Sequence, residues 1–185
     1  ETNAGLIDLE EVRDKKISVD MGVPKFDWQK IPLSTNLDTR NLHMSSKYLN
    51  DGFALNLGNP HLIFFVDELD SRKLSPNFLN IAKQPIFPDG INISAVKVLS
   101  RDRISILTFE RGVGLTHACG SGACASVIAS NKLNFCDKSV NVLMKGGELV
   151  VEISSDNHIF MIGHAEEVFE GQVDITKFKK KNEKK

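Results

Sequence analysis

The chain has 185 residues, a length typical of one or two domains. Hydrophobic residues make up 41% and charged residues 25%, which is ordinary for a globular protein. Because the formal net charge is −1, the overall charge does not favour binding to nucleic acid or to a membrane surface. No apolar run approaches the ~20 residues needed to cross a bilayer, and no secretory signal opens the sequence.

The sequence contains three cysteines, Cys119, Cys124 and Cys136, and five histidines. An odd number of cysteines does not suggest a disulfide framework, and neither residue type has the spacing of a zinc site. We therefore expect a reduced, cytoplasmic protein without a structural metal.

The first forty residues predict two short strands followed by a connector. Residues 5–22 alternate apolar and polar side chains on either side of the polar turn Arg13–Lys16. Residues 23–39 contain Pro24 and Pro32 and little periodicity, so they predict an irregular connector and a candidate boundary between two lobes.

The middle of the chain predicts strands around one short helix. Two strand-like runs within residues 48–66 are separated by Gly58-Asn59-Pro60-His61. The second run, LIFFV, is apolar throughout, which is typical of a strand buried on both faces. Further elements are a helix over 69–82, a loop over 85–90, and strands over 91–98 and 104–110.

The last third predicts a buried helix followed by strands. Residues 123–133 are small and apolar enough for a buried helix, and strands 139–144 and 148–154 flank a glycine turn typical of a hairpin. Strands over 158–163 and 165–173 follow, and the basic run 177–185 predicts a solvated tail. With roughly eight to ten strands and one or two helices, the pattern indicates an α+β fold with a mixed or antiparallel curved sheet wrapped around a central helix.

The stretch from Glu110 to Ser130 has the pattern of a reactive thiol at a helix N-terminus. Cys119 comes just before Gly120-Ser121-Gly122, where the helix is expected to begin. Unpaired N–H groups and the helix dipole at that end favour an anion, either a thiolate or a substrate carboxylate. Ser121 is a candidate helix cap. The alternative is that Cys119 is a small buried residue and the glycines only permit close packing.

Other polar residues lie where predicted strands meet loops. Asn59 and Asn92 follow glycine-containing turns, and Glu110-Arg111 ends a strand beside the cysteine loop. The guanidinium of Arg111 suits bidentate pairing with a carboxylate. Each residue also has a structural explanation, because asparagine often serves backbone geometry in turns and a Glu-Arg pair is often surface charge.

Together these motifs resemble those of the diaminopimelate epimerase family. The resemblance extends from about residue 5 to about residue 175 and is strongest in VDMGVPKF, LGNPHLIFFVD, the strand of Asn92, and ERGVGLTHACGSGACAS. It implies cofactor-independent conversion of LL-diaminopimelate to the meso isomer in lysine biosynthesis, by a pair of cysteines acting as acid and base.

The resemblance also implies roles for individual residues. The implied catalytic residues are Cys119, Glu110 and His61. The implied substrate-binding residues are Asn59, Asn92, Glu110, Arg111, Gly120 and Ser121. Of these, Asn59, Asn92 and Arg111 would hold the stereochemically distinguished end of the substrate, and His61 and Glu110 would tune the thiols.

The chain departs from the family in one respect that bears on activity. The family's other catalytic cysteine belongs to a C-G-N-G-type motif in a first lobe, and this sequence contains no such motif. Inversion of a carbon centre without a cofactor needs a base on one face and an acid on the other, so Cys119 supplies half of the chemistry. We therefore expect little or no activity from the chain alone.

The resulting domain prediction has four parts. Residues 1–20 are remnant strands of the first lobe, 21–164 form the C-terminal lobe, 165–176 form a strand returning to the first lobe, and 177–185 form the tail. The expected partners are diaminopimelate and the missing N-terminal lobe, and a homodimer is a candidate assembly. Neither nucleic acid nor a membrane is expected as a partner.

Two alternatives remain open from the sequence. The chain could belong to a related cofactor-independent racemase or isomerase of the proline racemase or phenazine-biosynthesis type, which activity on proline would reveal. It could also be a non-catalytic binding module that kept the fold, in which case Cys119 would be unreactive.

Overall fold

A mixed, curved sheet of 11 strands forms the body of the molecule, with one α-helix packed on each face. The computed structural model describes residues 7–44 and 46–175. The strands are β1 (Leu9–Glu11), β2 (Lys16–Asp20), β3 (Leu42–His43), β4 (Asp51–Asn56), β5 (Pro60–Phe65), β6 (Asn92–Ser100), β7 (Arg103–Glu110), β8 (Gly114–Thr116), β9 (Ser139–Met144), β10 (Gly147–Ile153) and β11 (Ile159–His164). The helices are α1 (Ser71–Ala82) and α2 (Gly120–Lys132), and the α+β class is as predicted.

The strand order is β1-β2-β11-β10-β9-β7-β6-β5-β4-β3, with β8 paired to the second half of β7. Most neighbours are antiparallel, while β5 with β6 and β7 with β9 are parallel. Because β9 pairs with the first half of β7 and β8 with the second half, the sheet divides along β7. The loop after β8 and the start of α2 lie beside this division, which is where Cys119 is found.

Helix α2 is the central helix that the sequence predicts. Every residue from Gly122 to Ser130 is buried, and the helix contacts β4, β5, β6, β7, β9, β10 and β11. Its two buried serines satisfy their hydroxyls within the helix: Ser126 Oγ donates to the Gly122 carbonyl and Ser130 Oγ to the Ser126 carbonyl, each at 2.7 Å. Small side chains and internally satisfied hydroxyls allow the sheet to close around the helix.

Helix α1 covers the opposite face of the sheet. The side chain of Asp70 caps its first turn by accepting from the Arg72 N–H at 2.9 Å. Leu74, Phe78 and Ile81 are buried at helical spacing. They belong to a hydrophobic cluster on this face of the sheet that also includes Leu62 and Phe64 of β5. Strand β5 lies between the two helices and buries both of its faces, as the uninterrupted apolar run predicts.

The predicted connector lacks regular structure, and backbone bonds hold it in place. Residues Lys25 and Asn56 exchange two backbone hydrogen bonds of 2.8 and 2.9 Å. Before it, β1 and β2 form an antiparallel hairpin, and β2 continues the sheet by pairing with β11. The assignment of residues 1–20 to another lobe, and the other lobe boundaries, stay predictions.

The prediction of a strand over 165–173 is wrong. Residues 165–174 form no regular element, and Val168 and Phe169 are more than 80% exposed, at 86% and 83%. A strand needs a neighbouring backbone to accept its hydrogen bonds, and β2 already occupies the free edge of β11.

Strands β3 and β8, of two and three residues, were not predicted because they are too short to show alternation. The basic run 177–185 lies outside the described residues.

Among the described residues, no helix is both long enough and apolar enough to span a membrane.

Candidate active site

Helix α2 begins immediately after Cys119, as the sequence predicts. Cys119 is the N-cap residue, with an extended backbone of φ −147° and ψ 107°. No side chain caps the helix, so the prediction that Ser121 is the cap is wrong: Ser121 is the second residue inside the helix. The N–H groups of Gly120 and Ser121 therefore have no partner within the helix and point out of its first turn. Unpaired N–H groups of this kind favour an anion, and the binding role of Gly120 and Ser121 stays a prediction.

Two glycines of the motif lie at close contacts between the helix and its neighbours. A Cβ atom on Gly122 would lie 3.1 Å from Thr108 Oγ1 and 3.2 Å from Cys119 Sγ. A Cβ atom on Gly120 would lie 2.6 Å from Met161 Sδ. The glycines thus bring the helix backbone against the thiol and against the sheet, as the sequence pattern indicated.

The environment of Cys119 keeps its thiol protonated at neutral pH. Burial raises the pKa of the Cys119 thiol above its ordinary value, and the Glu110 carboxylate that faces it adds to the rise. The Gly122 N–H and the Ser121 hydroxyl, which lie beside the sulfur, lower the pKa, but burial outweighs them. The helix N-terminus therefore lowers the pKa of Cys119, as expected from the sequence, but by less than burial raises it.

A chain of side-chain hydrogen bonds runs from the sheet to the thiol. Asn59 Nδ2 donates to Ser121 Oγ at 3.3 Å, and Ser121 Oγ lies 3.7 Å from Cys119 Sγ. Ser121 Oγ thus lies within hydrogen-bond distance of both the Asn59 amide and the thiol and links the two side chains. The structure therefore brings Asn59 and Ser121 together with Cys119, and the substrate-binding roles of Asn59 and Ser121 stay predictions.

His61 orients Asn59 from the buried side. His61 Nε2 donates to Asn59 Oδ1 at 2.9 Å, and its other ring nitrogen, Nδ1, is buried without a hydrogen-bond partner. Burial, with a smaller contribution from the positive charge of Arg111, lowers the pKa of His61 to about 3. His61 is neutral at physiological pH and acts on the thiol only through Asn59 and Ser121.

Asn92 and Arg111 are joined at the adjacent edge of the site. The buried side chain of Asn92 donates to the Pro60 carbonyl at 2.9 Å and accepts from the Arg111 N–H at 3.0 Å. One guanidinium nitrogen of Arg111 donates to the Asp89 carbonyl at 2.7 Å, and the rest of this exposed side chain remains available. Asn92 thereby fixes the position of Arg111, and the direct contact of either residue with a substrate stays a prediction.

Four residues around the thiol were not found by sequence reasoning. Met144 Sδ accepts from the Cys119 N–H at 3.5 Å, and Met161 packs on Gly120. Thr108 and Thr116 line the narrow crevice beside Cys119, and the buried Thr116 hydroxyl has no hydrogen-bond partner. Their apolar and β-branched side chains look like ordinary strand residues, so no sequence signal separates them from the core.

The other two cysteines belong to the core. Cys124 is fully buried, and burial, with a smaller contribution from Cys119, raises the pKa of its thiol to about 12. Cys136 is also buried, and burial raises the pKa of its thiol to about 11. Neither thiol is placed to act with Cys119 on opposite faces of one carbon.

Among the described residues there is also no group of three histidine, cysteine or acidic side chains arranged to hold a metal ion.

Residues 53–168 match a family model described as diaminopimelate epimerase. Among curated proteins, the diaminopimelate epimerase of Erythrobacter litoralis is 43% identical over 84% of this chain and 58% of its own length. The diaminopimelate epimerase of Zymomonas mobilis is 37% identical over 96% of this chain and 65% of its own length. The chain thus spans less than two thirds of the length of these relatives.

Solved structures show the same fold at low identity. A hydroxyproline epimerase from Agrobacterium vitis aligns with a TM-score of 0.59 at 12% identity, covering 89% of this chain and 56% of the epimerase. A predicted epimerase from Pseudomonas aeruginosa aligns with a TM-score of 0.55 at 15% identity, covering 89% of this chain and 63% of that protein. At such identities the likeness concerns the fold alone.

Proposed function

Because this chain belongs to the diaminopimelate epimerase family, we propose that it provides the Cys119 half of an active site that converts LL-diaminopimelate to meso-diaminopimelate without a cofactor. One observation above all supports the proposal. Cys119 caps α2 with two unpaired backbone N–H groups beside its thiol, so an α-carboxylate bound there would bring its α-carbon next to the sulfur.

The proposed chemistry is a proton transfer on each face of the α-carbon. A thiolate on one face takes the α-proton, and the electron pair of the broken C–H bond remains on the carbon and spreads into the carboxylate. A thiol on the opposite face then donates its proton, which inverts the centre. The N–H groups of Gly120 and Ser121 would stabilise the carboxylate as it gains negative charge.

We infer that Cys119 enters this reaction as the protonated partner. Its pKa is raised by burial and by Glu110, so the resting group is a thiol that can donate. Once Cys119 has given up its proton, the Gly122 N–H and the Ser121 hydroxyl stabilise the thiolate that remains. For the reverse reaction the same thiolate would act as the base.

The second thiol has to come from outside these 185 residues. The sequence has three cysteines in all, and both Cys124 and Cys136 are buried in the core around α2. A missing N-terminal lobe is the partner we propose, and we expect the chain alone to show little or no epimerisation.

Recognition of the substrate's far end is proposed for Asn59, Asn92 and Arg111. Arg111 contributes the free part of an exposed guanidinium, which suits a carboxylate. Asn59 and Asn92 already make protein hydrogen bonds, so their contribution would use their remaining amide hydrogens. Glu110, which ends β7 next to Arg111 in the chain, interacts with the thiol.

The test is exchange of the α-proton in D2O. The purified chain is incubated with meso-diaminopimelate, from which the Cys119 thiolate would take the α-proton, and in parallel with LL-diaminopimelate. Loss of the α-proton signal is followed by NMR beside Cys119→Ala and Cys124→Ala variants. Exchange that rises with pH and is lost only in Cys119→Ala would support the proposal. Exchange that survives in Cys119→Ala, or that occurs with proline and not with diaminopimelate, would refute it. If no substrate exchanges, the same measurement is repeated after adding the first third of a curated relative.

A further inference from the structure

We propose that the chain has a second ligand site, remote from Cys119, that binds a small carboxylate with an aromatic or aliphatic body. The site is a cavity of about 340 Å³ between the connector that starts at Val23, the last turn of α2 and the start of β11. This volume lies near the lower end of the ~300–1,000 Å³ that is usual for small-molecule pockets. The site is independent of the function proposed above.

The floor of this pocket and one of its walls are apolar and held in place by the fold, and Asn131 and Asn157 also line it. Its floor contains Ile128 of α2 and Ile159 of β11, each 1% exposed. The wall formed by Pro24 and Phe26 is held on both sides, because Lys25 is bonded to Asn56 and the Phe26 carbonyl accepts from Thr39 Oγ1 at 2.8 Å. A rigid apolar pocket binds with little loss of conformational entropy.

The charge of the lining has a single sign. Two lysines, Lys132 and Lys138, line the pocket, and no acidic residue does. The ammonium group of Lys132 lies 5.6 Å from the centre of the Phe26 ring, so it is held over the apolar wall. Neither lysine forms an ion pair with any other described residue. Each ammonium group can therefore form a charge-assisted hydrogen bond with an anionic ligand.

These features together specify the ligand class. The isoleucines and Phe26 suit an apolar body, and the two lysines that line the pocket suit a carboxylate. The site is in the second half of α2, roughly 14–20 Å from Cys119 along the helix axis. A ligand here would not compete with one at the thiol.

The test uses three probes that separate body from charge. Backbone amide NMR signals of the whole chain are followed during titration with phenylacetate, with the neutral isostere phenylacetamide, and with acetate, which lacks the ring. We expect saturable shifts at the pocket residues with phenylacetate. Phenylacetamide should bind at least about tenfold more weakly because it loses a charge-assisted contact, and acetate at least about tenfold more weakly because it loses the buried ring. Equal binding of phenylacetamide, or no saturable shift with phenylacetate, would overturn the proposal.

Variants provide the second line of the test. Lys132→Gln with Lys138→Gln should weaken phenylacetate binding about tenfold or more, whereas Lys83→Gln with Lys145→Gln, an equal loss of charge outside the pocket, should leave it unchanged. Val23→Phe, at a rim residue that is 46% exposed, should fill the mouth and abolish binding. If the two lysine pairs weaken binding equally, the ligand is held by general charge and the site is refuted.

Discussion

At the scale of single residues, the thiol of Cys119 is set by opposing influences from different parts of the chain. Burial and Glu110 hold the proton on the sulfur, while Ser121 and the Gly122 N–H stabilise the thiolate. The first pair favours the thiol form of Cys119, and the second favours its thiolate form. A thiol that has to donate and then accept a proton needs both.

Two substitutions beside Cys119 should therefore change its reactivity in opposite directions. Glu110→Gln removes a charge that raises the pKa of Cys119, so more thiolate is present and alkylation by iodoacetamide at pH 8 should be faster. Ser121→Ala removes a donor to the sulfur, so alkylation should be slower. Mass spectrometry gives the rate at Cys119, and Cys119→Ala is the control. Changes of the same sign in both variants would contradict the assignment.

His61 should make the protein less stable in acid. It stays neutral in the folded chain down to a pKa of about 3, while in the unfolded chain it takes up a proton near 6.5. Between these values the unfolded state binds one more proton, so the free energy of unfolding should fall by about 1.4 kcal/mol for each pH unit of acidification. Above pH 6.5 this contribution is constant.

Urea denaturation between pH 7 and pH 4 measures this effect. His61→Gln should flatten the decline in stability over that range, and His43→Gln, at an exposed histidine, serves as the matched control. A slope that is equally steep in His61→Gln and in the unmodified chain would show that other groups cause the acid sensitivity.

The site residues were predictable from sequence only where a motif names them. Asn59, His61, Cys119 and Ser121 occur in compact motifs, and the structure brings them together. The direction of the thiol's pKa shift was not predictable, because it depends on burial by residues from several strands. Met144 and Thr116 were not identified from the sequence for the same reason: sheet pairing brings them beside Cys119, and this leaves no local sequence pattern.

At the scale of elements, α2 was the most predictable part of the fold. Its small apolar residues and its glycine-rich start predict a buried helix that begins after Cys119, and the structure agrees. The longer strands β5, β6 and β7 were predicted for a similar reason, since each shows a clear apolar run or alternation. Residues 165–174 were predicted as a strand and form none, because strand formation depends on the neighbouring strands available for pairing.

Helix α1 offers a test of the arrangement with one helix on each face. Phe78 is fully buried against the sheet, whereas Leu79, the next residue, is 44% exposed. Phe78→Ala should lower the free energy of unfolding by about 3–5 kcal/mol, and Leu79→Ala by less than about 1 kcal/mol. Chemical denaturation of both variants provides the comparison. Similar losses at both positions would mean that α1 does not pack on the sheet by the face described.

At the scale of the whole molecule, one end of the sheet remains uncovered. Strand β1 is an edge strand with Leu9 68% exposed, and the segment 165–175 exposes four large apolar residues, Val168, Phe169, Val173 and Ile175. Exposed edges and apolar segments favour association with other chains. The candidate homodimer and the proposed first lobe would both cover such surfaces.

The isolated chain should therefore associate with itself as its concentration rises. Replacing Val168 and Phe169 by aspartate should shift it towards the monomer, while Val113→Asp, at a residue that is also exposed by 74%, should not. Size-exclusion chromatography with light scattering over a dilution series measures the change. A stable monomer of the unmodified chain at every concentration would contradict the prediction.

The pairing of β2 with β11 has a consequence for how the protein is made. Val19 is opposite Met161, so these strands are separated by about 140 residues of chain. At the ~5–20 residues per second of translation, the amino-terminal hairpin waits on the order of ten seconds for its partner to leave the ribosome. During that interval the backbone edge of β2 that β11 will pair with is exposed to the cell. A chaperone that protects nascent β2 would therefore have its largest effect in this window.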